Sequence, residues 1–237
     1  MFGDSKYSNL LTVLLVIVII AIIALLIFFG IDIYKKYYIT KETNKGVEQF
    51  DDEIPDIDTN NINNTITNNG NTTNNTVVDN DPLANLIDPD SNSSSGGSSG
   101  SDGLTYKGFP MIGTISIPKT DVSLPILANA TKQAIEVSVA KQYGLELNKP
   151  GNVVIIGHNY RNGLFFSDNK KLEVGDKVYI KDTSGLKLEY TIYSKFETDQ
   201  SDVSFYDRDT NGKCEITLST CVDNNAERRL VLLARSD

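Results

Sequence analysis

The chain has 237 residues, 40% of them hydrophobic, and a formal net charge of −9. That excess sits entirely in the first 104 residues, with 5 basic and 14 acidic side chains; residues 105–237 carry 17 of each. No basic surface is available to displace counterions from phosphates, which excludes a nucleic-acid ligand.

After a short tail, residues 1–9, the stretch Leu10–Phe29 is apolar apart from Thr12. Twenty helical residues rise about 30 Å, the thickness of a bilayer core. A removable leader would have a shorter apolar run and a small-residue cleavage site. Here Gly30-Ile31-Asp32-Ile33-Tyr34-Lys35-Lys36-Tyr37-Tyr38 follows, an interfacial Tyr/Lys belt. Residues 10–31 are therefore expected to form a retained transmembrane anchor. Lys6 precedes the span and Lys35, Lys36, Lys41 and Lys45 follow it, so charge bias alone puts the C-terminal bulk in the cytoplasm.

Residues 32–104 read as a polar, acidic linker, disordered over 46–104. Between Lys45 and Lys107 there are eleven acidic residues and no basic one. Asn60 to Asn80 is mostly Asn and Thr, and Ser91 to Ser101 is almost entirely Ser, Gly and Asn. Such composition cannot bury enough apolar area to offset its ordering entropy. A flexible tether of this length has a reach of roughly 40–45 Å.

Residues 105–237 are long enough for one core. Short β-rich runs alternate with turn signals: Ile112–Ile117, Val122–Leu127, Val153–Ile156, Lys177–Ile180, Leu186–Phe196, Cys214–Thr220 and Leu230–Ala234. Thr131 is placed to cap a helix over Lys132–Val139, and Asn162–Leu172 is a second short helical candidate. Many strands and little helix predict a mostly β fold, a small closed barrel or sandwich.

Three residues carry chemistry. His158, the only histidine, ends the apolar run Asn152–Gly157; Cys221 ends Glu215–Thr220; Arg229 begins Leu230–Ala234. A thiol, an imidazole and a guanidinium at three strand ends are the parts needed to attack a carbonyl and stabilise an oxyanion. A neighbouring cation is also what converts a thiol to the nucleophilic thiolate near neutral pH. Cys214 lies seven residues before Cys221 on one predicted strand, so the two point to opposite faces, about 23 Å apart, and cannot bridge. Alternation groups Cys214 with Ile216 and Leu218 in the core, and Cys221 with Thr217 and Ser219. Arg229 shares a face with Val231 and Leu233, whereas Arg228 points the other way as plain surface charge.

Gly157-His158-Asn159, Thr217-Leu218-Ser219-Thr220-Cys221 and Arg229-Leu230-Val231-Leu232-Leu233-Ala234 together resemble the sortases, cysteine transpeptidases of Gram-positive-type cell surfaces. Ile115-Ser116-Ile117-Pro118 and the anchor with its tether fit the same family, and the resemblance covers about 110 to 237. It implies a closed eight-stranded β-barrel with one or two short helices, preceded by the transmembrane helix and linker. It also implies Cys221 as nucleophile, His158 as acid/base and Arg229 as oxyanion or substrate stabiliser. The implied substrate is a secreted protein with an LPxTG-like sorting signal, cleaved between Thr and Gly. The implied acceptor is an amine, from a lipid II-type cell-wall precursor or a pilin lysine, and the catalytic domain lies outside a single-pass anchor.

His158-Asn159-Tyr160-Arg161-Asn162-Gly163 is class B-like, but only 63 residues separate His158 from Cys221, a spacing that suits class A or D. No cofactor is expected; Glu136, Asp207 and Asp209 read as solvated carboxylates and not as a calcium site. Thr220 is a candidate to help hold the acyl oxygen, and Thr198–Lys213 to line the peptide groove. Two other readings stand beside the transpeptidase: a non-catalytic surface-tethered β-domain, and a cysteine hydrolase using water.

Overall fold

A computed structural model describes the backbone of residues 4–57 and 103–236. The expected linker segment 58–102 lies outside the described residues. Residues 4–56 and 104–236 belong to one compact unit.

The first element, α1 (Asp4–Glu53), is long and apolar enough at Leu10 onward to cross a membrane, and that part is unburied by the rest of the chain. The residues expected as linker from 32 onward are helical as far as Glu53, so the disorder expected from 46 does not hold for 46–53. Helix continues for 22 residues past 31, because 32–53 carries several Lys and Glu and holds one docking stripe. Ile39, Thr43, Gly46 and Phe50, at helical spacing, are its covered positions, and Phe50 is fully buried. Phe50 packs with Tyr106, Met111, Leu127, Ala134 and Ala140, and Ile54, Ile135 and Val137 flank that cluster. Gly46 permits the close approach: a Cβ there would sit 2.6 Å from the Tyr106 ring and 3.0 Å from Pro125. Lys181, itself buried, closes the contact with ion pairs to Asp51 at 3.0 Å and Asp56 at 2.7 Å.

The remainder is β. Its strands are β1 (Thr105–Tyr106), β2 (Phe109–Ile117), β3 (Val122–Leu127), β4 (Val139–Tyr143), β5 (Gly151–Ile156), β6 (Lys177–Asp182), β7 (Lys187–Asp199), β8 (Cys214–Val222) and β9 (Asn225–Arg235). Hydrogen-bonded order runs β2-β3-β4-β5-β8-β9-β7-β6, and β6 pairs back onto β2, closing a ring of eight; β1 is an appendage on β2. The expected closed eight-stranded barrel is thus observed. Alternation fills its interior: Ile115, Ile126, Val153, Ile155, Ile180, Ile192, Ile216, Leu218 and Leu232 belong to one buried cluster. The opposite faces of β5 and β9 supply Val154, Val231 and Leu233 to a separate outer cluster with Phe205.

Helix between strands is scarcer than the sequence suggests. The helix α2 (Lys132–Ile135) is capped by Thr131, whose side chain accepts the Ala134 N–H at 3.1 Å. It stops before Val139 because Ser138 is buried and its hydroxyl donates to the Pro125 carbonyl, turning the chain into β4. Over Asn162–Leu172 only a 3-10 turn forms, at Asn169–Lys171, since Gly163 and Phe165 hold positive φ values of 80° and 52°.

Candidate active site

β5 and β8 run parallel, Ile156 opposite Ser219, so their C-terminal ends deliver His158 and Cys221 to the same edge of the barrel. β9 returns antiparallel to β8 and places Arg229 directly across from Cys221. His158, Cys221 and Arg229 line one cavity of about 310 Å³, together with Ile135, Gln142, Ile156, Gly157, Ser219 and Thr220. All three sequence-singled residues therefore meet at one opening.

The face is the outer one. Cys221 follows the parity of Thr217 and Ser219, while Cys214 packs against the interior cluster with Ile216 and Leu218. Both thiols are free and partly buried. Burial pushes the Cys214 thiol up, so it stays protonated and inert near neutral pH.

Backbone at the cavity floor is held from both sides. The Gly157 N–H donates to the Ser219 carbonyl at 3.3 Å, and the Thr220 hydroxyl donates to the Gly157 carbonyl at 2.7 Å. Thr220 is buried, and this bond occupies its hydroxyl, so its visible role is to lock β8 to the residue before His158. Gly157 leaves no space for a side chain: a Cβ would lie 2.8 Å from Val139 and 3.0 Å from Phe166. Just past the histidine, the Asn159 amide donates to the Cys221 carbonyl at 2.9 Å and to Asp223 at 2.7 Å, tying the two strand ends together. Lys170, hydrogen-bonded at 2.5 Å, and then Asn159 hold the Asp223 carboxyl below its ordinary value.

Arg229 is half-exposed and donates to the carbonyls of Ala226 at 2.6 Å and Arg228 at 3.2 Å. Its charge reaches the cavity wall, where it opposes the upward push that burial gives the Tyr206 hydroxyl. Arg228 behaves as the expected surface charge, 3.6 Å from Glu197.

The roof is the segment between β7 and β8, from which Gln200, Asp202, Phe205 and Tyr206 reach the cavity. Sequence reasoning singled out this segment but missed what fixes it. Arg208 donates to Glu215 and to the Tyr193 hydroxyl, both at 2.6 Å, and to the Thr217 hydroxyl at 3.3 Å. Thr217 in turn donates to Asn152, whose amide holds the carbonyls of Phe205 at 3.1 Å and Tyr206 at 2.8 Å. The only signal in the sequence was parity: Asn152, Glu215 and Thr217 are polar positions on otherwise apolar strands.

Glu136 does not behave as a plain solvated carboxylate. It accepts a hydrogen bond from the Tyr160 hydroxyl at 2.7 Å and lies 3.5 Å from His158 Nε2. Among the described residues no cluster of three or more potential ligands could hold a metal ion.

The family model for the sortase domain matches residues 115–237. Sortase A of Bacillus anthracis is 34% identical over 126 residues, 51% of this chain and 58% of that protein. Sortase A of Listeria monocytogenes is 27% identical over 117 residues, 49% and 51% of the two chains. The chain thus spans about half the length of these curated relatives. The structure of sortase A from Corynebacterium diphtheriae is 29% identical with a TM-score of 0.50, over 54% of this chain and 62% of that one. A closed eight-strand ring, a match over more than half the sequence and the convergence at one cavity agree, and the chain belongs to the sortase family.

Proposed function

We propose that the protein is a membrane-anchored cysteine transpeptidase with Cys221, His158 and Arg229 as its catalytic residues. The observation that carries this reading is the register of β8 and β9, which sets thiol and guanidinium opposite each other beside the only imidazole of the chain. In this reading residues 105–237 are the catalytic domain, outside the cell, 10–31 span the membrane once, and the segment beyond the helix is an acidic linker.

The Cys221 thiolate attacks the Thr carbonyl carbon of an LPxTG-like signal, forming a C–S bond. The Arg229 guanidinium stabilises the negative charge on oxygen. The intermediate collapses with cleavage of the Thr–Gly C–N bond, and the His158 imidazolium supplies the proton that the departing glycine amine needs. An amine acceptor, a cell-wall precursor or a pilin lysine, then attacks the thioester. It gives its proton to His158 and restores the thiolate.

The test is cleavage and ligation of a labelled LPxTG peptide in the presence and absence of an amine. Cys221→Ala is expected to abolish product and Cys214→Ala to leave it intact. Equal loss in both variants would refute the assignment, and hydrolysed product alone at saturating amine would favour a hydrolase.

A further inference from the structure

We propose that Glu136 is the positioning carboxylate of His158, holding the imidazole in the orientation and tautomer that the reaction uses. The proposal rests on His158 being the proton carrier.

Glu136 closes α2, and its backbone is fixed from both sides. Ala134 and Ser138 are fully buried, the Ser138 N–H donates to the Ala134 carbonyl at 3.2 Å, and the Ser138 hydroxyl is tied to Pro125. The carboxylate is then aimed by Tyr160, whose hydroxyl donates to Oε2 at 2.7 Å and leaves Oε1 facing His158 Nε2 at 3.5 Å. Tyr160 is a dependable donor: burial first, and Glu136 second, push its pKa well above the ordinary tyrosine value, so the hydroxyl keeps its proton. Its ring centroid lies 4.9 Å from that of His158 at 34° and 5.8 Å from that of Phe165, and its backbone N–H donates to the Ser167 hydroxyl at 3.0 Å. Acid and imidazole are thus bracketed by one anchored side chain.

Nε2 of His158 is buried and has no hydrogen-bond partner within bonding geometry. A buried polar atom left this way needs an explanation, and catalytic hydrogen bonds commonly shorten only when substrate is bound. A carboxylate a few tenths of an ångström beyond bonding range is that explanation. It favours a proton on Nε2, which leaves Nδ1 to take and give the proton exchanged at sulfur and amine. The other charged or titratable groups around the histidine are Tyr160, Arg161, Asp202, Cys221 and Arg229, and Glu136 is the carboxylate at ion-pair distance.

Because His158 is the only histidine, its ring nitrogens give one resolvable pair of ¹⁵N resonances in the full chain. Glu136→Gln keeps the size and can still accept from Tyr160 but removes the charge. The ¹⁵N shifts of the neutral ring should place the proton on Nε2 in the wild type and move toward the Nδ1-protonated form in this variant, whose amide turns an N–H toward Nε2 while its oxygen accepts from Tyr160. Its kcat should fall about tenfold with KM nearly unchanged, since Glu136 does not line the cavity. Glu136→Asp should restore part of both. Ring shifts in Glu136→Gln that superimpose on the wild type overturn the proposal, as does a changed tautomer with unchanged kcat. A variant that melts below the wild type is read through Tyr160→Phe, which removes only the tether and should change tautomer and kcat less. A ring that responds to Glu136 in a protein indifferent to Cys221→Ala would strike the transpeptidase reading and spare this pair.

Discussion

Thr220→Val removes one hydroxyl and almost no volume, and it addresses the link between barrel and site directly. The lost bond is the 2.7 Å donation to the Gly157 carbonyl, at a residue only 4% exposed. Leaving a buried acceptor without its partner costs about 1–3 kcal/mol. For a domain of this size that corresponds to a fall in Tm of about 3–10 °C. The same carbonyl orients the peptide plane leading into His158, and displacements near 1 Å at a reacting group cost up to about 10²-fold in rate. Thr220→Val should therefore lower kcat/KM by roughly 10- to 100-fold, while Thr220→Ser, which keeps the donor, stays near wild type. The assay is thermal melting by circular dichroism of the full chain in detergent, paired with steady-state peptide cleavage. If Thr220→Val melted within about 1 °C of wild type and turned over at the same rate, the hydroxyl would not be holding the histidine strand.

Arg229→Lys keeps the charge but loses the planar fork, and kcat should drop about 10²-fold or more in the cleavage assay. Asn159→Ala cuts the bridge between the histidine loop and the Cys221 carbonyl; ligation should slow about tenfold with little change in KM. Phe50→Ala empties a fully buried site, and the loss of about 3–5 kcal/mol of packing should appear as faster hydrogen exchange over 43–53, not as global unfolding. The same docking should depend on pH. Asp56 is held below its ordinary value of 3.8, chiefly by its hydrogen bond to Lys181. A lowered carboxyl stabilises above its unfolded pKa and is lost as pH falls through the folded one. Limited proteolysis at Asp51–Asp56 should thus be slow above pH about 4 and accelerate below it.

Sequence periodicity was sufficient for most strands because each buries alternate residues, as Val153, Ile155, Ile216 and Leu218 display openly, while the choice of a closed barrel over a sandwich came from the family resemblance. β4 was not legible. Val139-Ala140-Lys141-Gln142-Tyr143 is short, follows a helical cap signal and pairs with β3 in parallel, a long-range contact with no local trace. The docked half of α1 was missed for a related reason. Its stripe is Ile39, Thr43, Gly46 and Phe50, only two of them large and apolar, so the partner surface supplies what the helix lacks. At the site, His158, Cys221 and Arg229 stood out by chemistry and position. Glu136 did not, because an acid after a four-residue helix looks solvated until Tyr160 is known to face it.

The unbroken helix makes α1 a ruler. Lys36 already touches the barrel at Gly163, seven residues beyond Phe29, a rise of about 10 Å. With α1 crossing the bilayer as proposed, the barrel does not sweep the radius that a loose leash would give it. It stands at one elevation just over the lipid headgroups, turned to one compass bearing. A client polypeptide then has to offer its scissile bond at that altitude, so the number of residues between its motif and its own membrane exit becomes a selectable length.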